Sequence, residues 1–361
     1  MKRLIRKIKN MSKKSKIILA IVLLLLLGLG IFGIYKLVSK DKLETKPKTK
    51  EKVVEPEKPA EPQVQIVDVN SKSRPFAVMI NNINAARPLQ SGLQDAYIVY
   101  EIIVEGGITR YMALFKDVDT ERIGSVRSSR HYFLDYALEN DAYYAHWGWS
   151  TQAQLDINSL KINNINGLVY EGKYFFRDKT LRVSSEHRGF TKMSMLKEAA
   201  QNLKYRAETN KDLLLKYSAT EIDTSNLEGV IPANNVTIKY SNTITTSYTY
   251  DAENKVYKRF VNNQEHKDYV TGNQYTAKNI ITYQVGNSTR SNDIKGRQNL
   301  NNIGSGNGYY ITNGVAIPIT WEKTSRESQT VYKFLNGEKI TVNDGNTYIQ
   351  IQPLNQPLTI N

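Results

Sequence analysis

The sequence contains no cysteine among its 361 residues. A chain without thiols cannot form disulfides, use a thiolate nucleophile or ligate a metal through a cysteine sulfur. It also offers no cysteine for a lipid anchor. A cysteine-free chain that is nevertheless exported would suit a bacterium that does not rely on disulfides.

Histidine is scarce as well, with four residues in the whole chain. None of them is spaced from another as zinc ligands usually are, for example as H-x-x-x-H, so no zinc site is expected. The cofactor is otherwise unknown. Mg²⁺ remains a candidate cofactor, because the carboxylate of Glu101 or Glu105 could bind it.

The chain also lacks a basic stripe in its main part, although its formal net charge is +14. Residues 1–16 hold eight Lys and Arg and no acid, and residues 36–63 hold eight lysines against six acids. These two segments account for ten of the fourteen positive charges. Nucleic-acid-binding proteins cluster basic residues on one folded face, so no nucleic-acid partner is expected.

The most prominent feature that is present is a long apolar segment near the N-terminus. Residues 17–35 carry no charge and consist mainly of Leu and Ile. A helix of this length spans roughly 28 Å, close to the ~30 Å hydrocarbon core of a bilayer. We predict an uncleaved transmembrane signal anchor over residues 17–38. A cleaved signal peptide is the alternative, but the run is too long and lacks a small-residue cleavage site.

The segments on either side of the anchor predict its orientation. The basic tail over residues 1–16 is expected to be cytoplasmic by the positive-inside rule. Residues 39–65 are rich in Lys, Glu and Pro and have little to bury, which predicts a disordered stalk. The expected location is therefore the cell membrane, crossed once, with the folded part extracytoplasmic and the membrane itself as a partner.

The rest of the chain predicts an α+β fold in two domains. Residues 66–220 mix strand-like runs with helical patterns, which predicts an N-terminal α/β domain containing an antiparallel hairpin. Residues 221–361 consist of short runs rich in β-branched residues and tyrosine, separated by turn residues. That pattern predicts a C-terminal domain of mostly antiparallel strands.

The predicted hairpin lies in EIIVEGGITRY, residues 101–111, with Gly106-Gly107 as a two-residue turn. In that register Ile103 faces Arg110, so that Glu101, Glu105 and Arg110 all project from one face. These charges form either part of a site or an ordinary surface salt-bridge cluster. The pattern by itself favours the surface cluster.

The segment GSVRSSR, residues 124–130, strengthens the case for a site. Arg127 and Arg130 flank Ser128, which we predict to cap a following helix. A helix N-terminus with two guanidinium groups is suited to bind a phosphate or pyrophosphate. The alternative is a pair of solvated arginines.

A third candidate segment is HWGWS, residues 146–150. His146 is a candidate general base or ligand contact, with Ser150 close by in the chain. Trp147 and Trp149 could line one cleft and stack on a sugar ring or an isoprenoid chain. The alternative for His146 is a buried structural histidine. The same reasoning applies more weakly to His187, while His131 and His266 are interpreted as structural.

Several motifs in order resemble the YerB-like family across residues 70–357. These are FAVMINN, RPLQSGLQDAYIVYE, EGGITR, GSVRSSRHYF and KGRQ…GSGNGYYI…PITWEK. The resemblance implies an exported envelope protein of Gram-positive bacteria, built from a domain of unknown function and a separate C-terminal domain. Many members are lipoproteins, whereas this chain has no cysteine, so a transmembrane anchor would replace the lipid. The resemblance implies no reaction.

The layout of anchor, stalk and α/β domain is also similar to that of the LytR-CpsA-Psr ligases, although this is an analogy without matched motifs. Three functions stay open. The favoured one is a protein that binds an anionic cell-wall-related ligand or partner, such as peptidoglycan or a phosphate-bearing precursor. The second is a phosphotransferase or hydrolase of isoprenoid-pyrophosphate-linked glycans, with Glu101, Glu105 or His146 as candidate catalytic residues. The third is a structural spacer.

Overall fold

The computed structural model describes residues 12–15, 22 and 62–361. The chain divides into two units, Met1–Ala60 and Glu61–Asn361, and the fold below is that of the second. Apart from the few positions named, the predicted basic tail, the anchor over 17–38 and the stalk as far as residue 61 lie outside the described residues. Within the described part of the chain, no helix is long and apolar enough to cross a membrane. The anchor therefore stays a prediction.

Short strands and four α-helices occur in roughly the first half of this unit. The helices are His131–Glu139 (α1), Thr151–Ser159 (α2), Gly167–Tyr170 (α3) and Met193–Asn202 (α4). The strands are Phe76–Asn81 (β1), Ile98–Ile103 (β2), Thr109–Phe115 (β3), Ile123–Gly124 (β4), Tyr143–His146 (β5), Asn164–Asn166 (β6), Phe176–Arg177 (β7) and Gly189–Thr191 (β8).

The remainder of the described chain is formed by strands and loops. The strands are Lys216–Ser218 (β9), Ile231–Pro232 (β10), Asn235–Lys239 (β11), Thr245–Asp251 (β12), Val256–Val261 (β13), Gln264–Glu265 (β14), Thr276–Ala277 (β15), Asn279–Val285 (β16), Asn287–Thr289 (β17), Gln298–Leu300 (β18), Gly304–Thr312 (β19), Val315–Lys323 (β20), Val331–Phe334 (β21), Thr341–Asn343 (β22), Thr347–Pro353 (β23) and Leu358–Ile360 (β24). The α+β class is confirmed, with strands in the majority.

One large mixed sheet organises the unit. Its strand order is β10-β20-β19-β16-β23-β2-β3-β1-β5-β6, and β21 pairs with β20. Strand β23 lies between β16 and β2 and runs parallel to both. Strands from either side of the predicted boundary at residue 220 therefore share one sheet, and Glu61–Asn361 is one compact unit.

The two faces of this sheet are covered differently. A second sheet of order β14-β13-β12-β11-β24, with β15 paired to β13, shares a core with one face and with α4. The other face shares a core with α1 and α2. Alternate residues of each central strand supply the two cores, as the pleat requires. In β2, for example, Val99 belongs to the first core and Tyr100 to the second.

The predicted register of the hairpin is wrong by one residue. Ile103 pairs with Thr109 and Ile102 with Arg110, because the strands are joined by residues 104–108 rather than by two glycines. Within this link the Val104 amide donates to the Ile108 carbonyl over 2.8 Å. A one-residue slip moves side chains to the opposite face. Glu101 and Arg110 consequently point to opposite sides of the sheet.

The predicted start of the first long helix is also corrected. Helix α1 begins at His131, and Arg130 rather than Ser128 occupies the N-cap position, without a side-chain capping bond. The Ser128 hydroxyl instead donates to the Trp147 carbonyl over 3.0 Å. This bond joins the segment before α1 to the one after β5.

Candidate functional site

Glu105 is the centre of a buried charge cluster on the α1 side of the hairpin. Its Oε1 accepts from Nη2 of Arg110 over 2.8 Å, and its Oε2 accepts from Nε of Arg130 over 2.8 Å. Nη2 of Arg130 makes a second bond to Oε1. Burial would raise the pKa of this carboxyl, but the two arginines outweigh it and lower the pKa to about 2.

The cluster holds more positive charge than its single carboxylate neutralises. Arg110 and Arg130 are 3% and 6% exposed, so neither guanidinium is well solvated. Burial, followed by repulsion from Arg130, lowers the pKa of Arg110 to about 9. Nη1 of Arg110 donates to the Ser128 carbonyl over 2.6 Å, while its Nε has no hydrogen-bond partner. One excess positive charge therefore lies beneath the surface here.

Two more arginines, Arg127 and Arg177, are more exposed to solvent than Arg110 and Arg130. Nη2 of Arg127 donates to Oε2 of Glu186 over 2.8 Å, and the Glu186 side chain is 55% exposed. Arg177 stacks over the Trp147 ring, 4.3 Å from its centroid, and bonds to Glu171 over 2.8 Å. Exposed pairs of this kind contribute little to stability, so a ligand can compete for them.

These groups border a cleft of about 350 Å³, which we call the arginine–tryptophan cleft. It is lined by residues from five separate segments. They are Val126, Arg127, Ser128, Trp147, Trp149, Leu168, Arg177 and Glu186, together with Gly148 and Gly189. The structure therefore brings Arg127, Ser128, Trp147 and Trp149 together as predicted contacts of one cleft, whereas Arg110 and Arg130 lie behind it.

Trp147 forms the floor of this cleft and is tightly enclosed. A Cβ added at Gly167 would lie 2.5 Å from the indole, and one at Gly189 would lie 2.7 Å from it. Both positions need glycine because nothing larger fits against the ring. The Trp147 Nε1 is buried without a hydrogen-bond partner. Trp149 is more open and packs against the His146 ring at 5.4 Å.

His146 does not reach the cleft. It is fully buried, with Nδ1 2.8 Å from the Gly148 carbonyl and Nε2 3.2 Å from Oδ1 of Asn164. Burial lowers the pKa of its imidazole to about 4. The Nδ1 proton can be donated to the Gly148 carbonyl, and Nε2 faces the Asn164 side chain, so His146 positions the turn between the tryptophans and its buried ring is not accessible to a substrate.

Ser150 and His187 likewise serve the architecture around the cleft. The Ser150 hydroxyl accepts from the Ala153 amide over 3.2 Å and so caps α2. His187 is 7% exposed, with its Nδ1 3.1 Å from the Asn81 amide nitrogen and its Nε2 3.5 Å from Glu186. Burial lowers the pKa of His187 as well. Of the two, His187 is closer to the cleft through its contact with Glu186.

Glu101 belongs to a different network, on the opposite face of the sheet. Its carboxylate accepts from Arg259 over 2.6 Å, from Thr109 over 2.7 Å and from Thr246 over 3.1 Å. Both members of the Glu101–Arg259 pair are completely buried. His266, which was interpreted as structural, contacts Arg259 in the same network. These bonds join β2 and β3 to the second sheet.

The carboxylates considered for Mg²⁺ do not fit that role. The oxygens of Glu101 are occupied by an arginine and two threonines, and those of Glu105 by two arginines. In the part of the chain that the structure describes, no group of three or more His, Asp or Glu side chains is placed to hold a metal ion. We therefore derive no metal chemistry at this site.

Sequence reasoning missed three contributors to the cleft. Arg177, Glu186 and Leu168 come from the loop-rich section between β6 and β8, which carries no periodic pattern. The signals that could have indicated them are the two glycines, Gly167 and Gly189, and the SSEHRGF segment around His187.

Comparison with known protein families finds two matches along the chain. Residues 63–206 match the family described as "Protein of unknown function (DUF3048) N-terminal domain". Residues 236–349 match its counterpart, the DUF3048 C-terminal domain. Together the two segments cover most of the described unit.

Two findings relate the whole chain to a protein of Bacillus subtilis. The chain is 28% identical over 325 residues to the "Putative lipoprotein YerB" of strain 168, covering 89% of this chain and 93% of that protein. The crystal structure of YerB from the same organism superimposes with a TM-score of 0.68 at 29% identity. That match covers 80% of this chain and 94% of the solved chain.

Proposed function

The chain belongs to the YerB-like family of proteins with paired DUF3048 domains, and from this membership and the geometry of the cleft we propose an extracytoplasmic binding function. The protein is held at the cell membrane as part of the envelope. Through its arginine–tryptophan cleft it binds an anionic ligand related to the cell wall.

The observation that carries this proposal is the uncompensated positive charge behind the cleft. Arg110 and Arg130 share one carboxylate, and Nε of Arg110 has no partner. A buried charge in excess is costly, and an anion bound nearby would offset that cost. Arg127 and Arg177 line the cleft itself, and each can turn from its exposed glutamate to a ligand.

The surface around the charges indicates the rest of the ligand. Trp149 lines the cleft, and Leu168 at its edge is 63% exposed. Val169, the next residue, is 65% exposed. Aromatic rings stack on sugars, and exposed aliphatic side chains accept apolar groups. A phosphate-bearing glycan, with or without a lipid carrier, matches both properties.

The proposed location at the cell membrane is supported by the B. subtilis relative and by the sequence of this chain. The B. subtilis relative is named as a lipoprotein, which places that protein at a membrane. This chain has no cysteine to carry a lipid, and its apolar segment over residues 17–38 would supply the anchor instead. The N-terminus would then be cytoplasmic and residues 62–361 extracytoplasmic.

The geometry favours binding over the catalytic alternative. Among the described residues singled out as catalytic candidates, Glu101 is buried against Arg259, Glu105 is paired with two arginines, and His146 is buried away from the cleft. General acid–base catalysis requires a group within reach of the substrate whose pKa lies near the working pH. None of the three combines these properties.

Thermal unfolding of the full-length chain in a non-ionic detergent tests the proposal. Pyrophosphate and a soluble anionic wall glycopolymer serve as probes. We expect each to raise the melting temperature of the wild type and of a control carrying Arg206→Gln and Arg290→Gln. The cleft variant, with Arg127→Gln and Arg177→Gln, should lose that shift. If neither probe stabilises the wild type, or if the cleft variant responds like the control, the proposed function is wrong.

A further inference from the structure

A larger cavity lies elsewhere on the unit and shares no lining residue with the arginine–tryptophan cleft. Its volume is about 550 Å³, and its walls come from residues 64–75, from β9 and the loop before it, and from β21. Five lysines line it, and we call it the lysine cleft. They are Lys72, Lys116, Lys211, Lys216 and Lys339.

The carboxylates that line this cleft are fewer than its lysines. Asp212 is the carboxylate among the lining residues, and Asp117 lies beside Lys116 at 3.6 Å. Of the five lysines, Lys116 alone has a salt-bridge partner within the described part of the chain. Lysines therefore outnumber carboxylates among the lining residues, while Asp68 acts on Lys116 and Asp141, Glu139 and Glu327 act on Lys211 from outside the lining.

Two of the lysines are fixed in place by neutral acceptors. Nζ of Lys116 donates to the Ser73 carbonyl over 2.5 Å and to its hydroxyl over 2.9 Å. Nζ of Lys211 donates to the carbonyls of Leu138 and Glu327, over 2.8 and 2.6 Å. Carbonyls orient an ammonium group without neutralising its charge. Burial lowers the pKa of both lysines, and a bound anion would act in the opposite direction.

Three tyrosines form part of the wall of this cleft. Tyr97, Tyr217 and Tyr332 all line it and are at most 8% exposed. The hydroxyls of Tyr217 and Tyr332 are buried without a hydrogen-bond partner. These hydroxyls are not accessible from the cleft, so the three tyrosines contribute ring surface rather than hydrogen-bond donors to its wall.

We propose that the lysine cleft is a second binding site of this protein, specific for a phosphate ester. Lysine ammonium groups bind phosphate oxygens as point charges, and exposed lysines at the rim can adjust to the position of the group. Lys72 and Lys339 at the rim contact the phosphate, while Lys116 and Lys211 provide the positive field behind it. The apolar side chains Val64, Val69 and Leu214 accept the carbon part of the ester.

Isothermal titration calorimetry on the full-length chain in a non-ionic detergent at low salt tests this site. Two soluble probes distinguish the source of the phosphate. Glycerol 3-phosphate is a monoester, as in free metabolites, and glycerophosphoglycerol is a diester, as in a lipid headgroup or a glycerol-phosphate polymer. Stronger binding of one of the two probes supports the site and shows whether it takes a phosphate monoester or a diester. Binding should weaken as salt is raised, because the lysines at the rim are solvated.

Matched variants separate this site from the rest of the surface. Lys72→Gln with Lys339→Gln removes two exposed rim charges, and Lys255→Gln with Lys267→Gln removes two exposed charges elsewhere. We expect the first variant to bind the preferred probe about tenfold more weakly, and the second to bind like the wild type. The proposal is overturned if the wild type binds neither probe, or if both variants bind equally.

The calorimetric test of the lysine cleft can be separated from binding in the arginine–tryptophan cleft. The variant Arg127→Gln with Arg177→Gln keeps all five lysines, so it should retain the calorimetric binding of the glycerol phosphates. If that variant loses their binding while Lys72→Gln with Lys339→Gln retains it, the phosphate binds in the arginine–tryptophan cleft and the lysine site is excluded.

Discussion

Arg259 and Glu101 form an ion pair that is completely buried between the two sheets, with Nη2 and Oε2 2.6 Å apart. The arginine belongs to β13 and the glutamate to β2, 158 residues earlier. The rings of Tyr111 and Tyr348 lie 5.0 and 5.1 Å from the guanidinium carbon. The pair therefore connects segments that the two family matches assign to separate domains.

The first prediction concerns this pair. Glu101→Gln should lower the free energy of unfolding by about 3–5 kcal/mol, because it leaves the buried Arg259 guanidinium without a counter-charge. Glu265→Gln removes the partner of Lys267 in an exposed pair and should change stability by less than about 1 kcal/mol. Urea denaturation measures both. Equal losses in the two variants would contradict the importance of the buried pair.

The second prediction concerns acid stability and Glu105. The folded-state pKa of its carboxyl is about 2, below its ordinary value of 4.5. The stabilisation is therefore complete above about pH 4.5 and is lost as the pH falls from there towards 2. Denaturation at pH 5 and pH 3 should show this loss, and it should be smaller in Glu105→Gln. If the stability of Glu105→Gln depends on pH in the same way as that of the wild type, the lowered pKa of Glu105 is refuted.

The third prediction follows from the histidines. The pKa of His131 and of His146 is lowered to about 4, mainly by burial, and burial also lowers the pKa of His187 and His266. Between about pH 6.5 and 4 the unfolded chain therefore binds more protons than the folded one, so stability should fall as the pH drops.

Histidine NMR spectra measure this directly. No imidazole of the folded protein should titrate near pH 6.5. Denaturation at pH 7 and pH 5 gives the corresponding loss of stability, which should be shallower in His146→Gln even if that variant is less stable at both values. A histidine resonance of His146 that shifts with a midpoint near 6.5 would disprove its neutral, buried state.

The fourth prediction separates capping from ligand binding at Ser150. Ser150→Ala should destabilise the protein by about 0.5–2 kcal/mol, because the Ala153 amide at the start of α2 loses its acceptor. Ser159→Ala, at the exposed end of the same helix, serves as the control and should have a smaller effect. The thermal shift with pyrophosphate should persist in both. Loss of that shift in Ser150→Ala alone would make Ser150 a ligand contact instead.

Local pattern was sufficient to identify the two strands of the hairpin but not their register. The strand-like runs on either side of Gly106-Gly107 correspond to β2 and β3. The glycine pair suggested a two-residue turn, yet Gly106 and Gly107 both adopt positive φ inside a longer link. Register depends on the length of that link, so one unrecognised turn reversed the predicted relation of Glu101 to Arg110.

The candidate site was predictable only where its residues are close in sequence. The segments around Arg127 and Trp147 were identified because each combines charged or aromatic residues with glycine and serine. Their joining through the Ser128–Trp147 bond, and the addition of Arg177 and Glu186, depend on tertiary packing. The pairing of Glu101 with Arg259 joins residues 158 positions apart and leaves no local signal in the sequence.

The position of β23 has a consequence for how the protein must be made. This strand, Thr347–Pro353, fills the gap between β16 and β2 in the centre of the main sheet. Until it has been synthesised, β2 presents an open edge of unpaired backbone groups. The sheet therefore cannot be completed before residues 347–353 are available. Such late closure, at high contact order, predicts slow folding, because strands far apart in the sequence must come together before the centre of the sheet is filled.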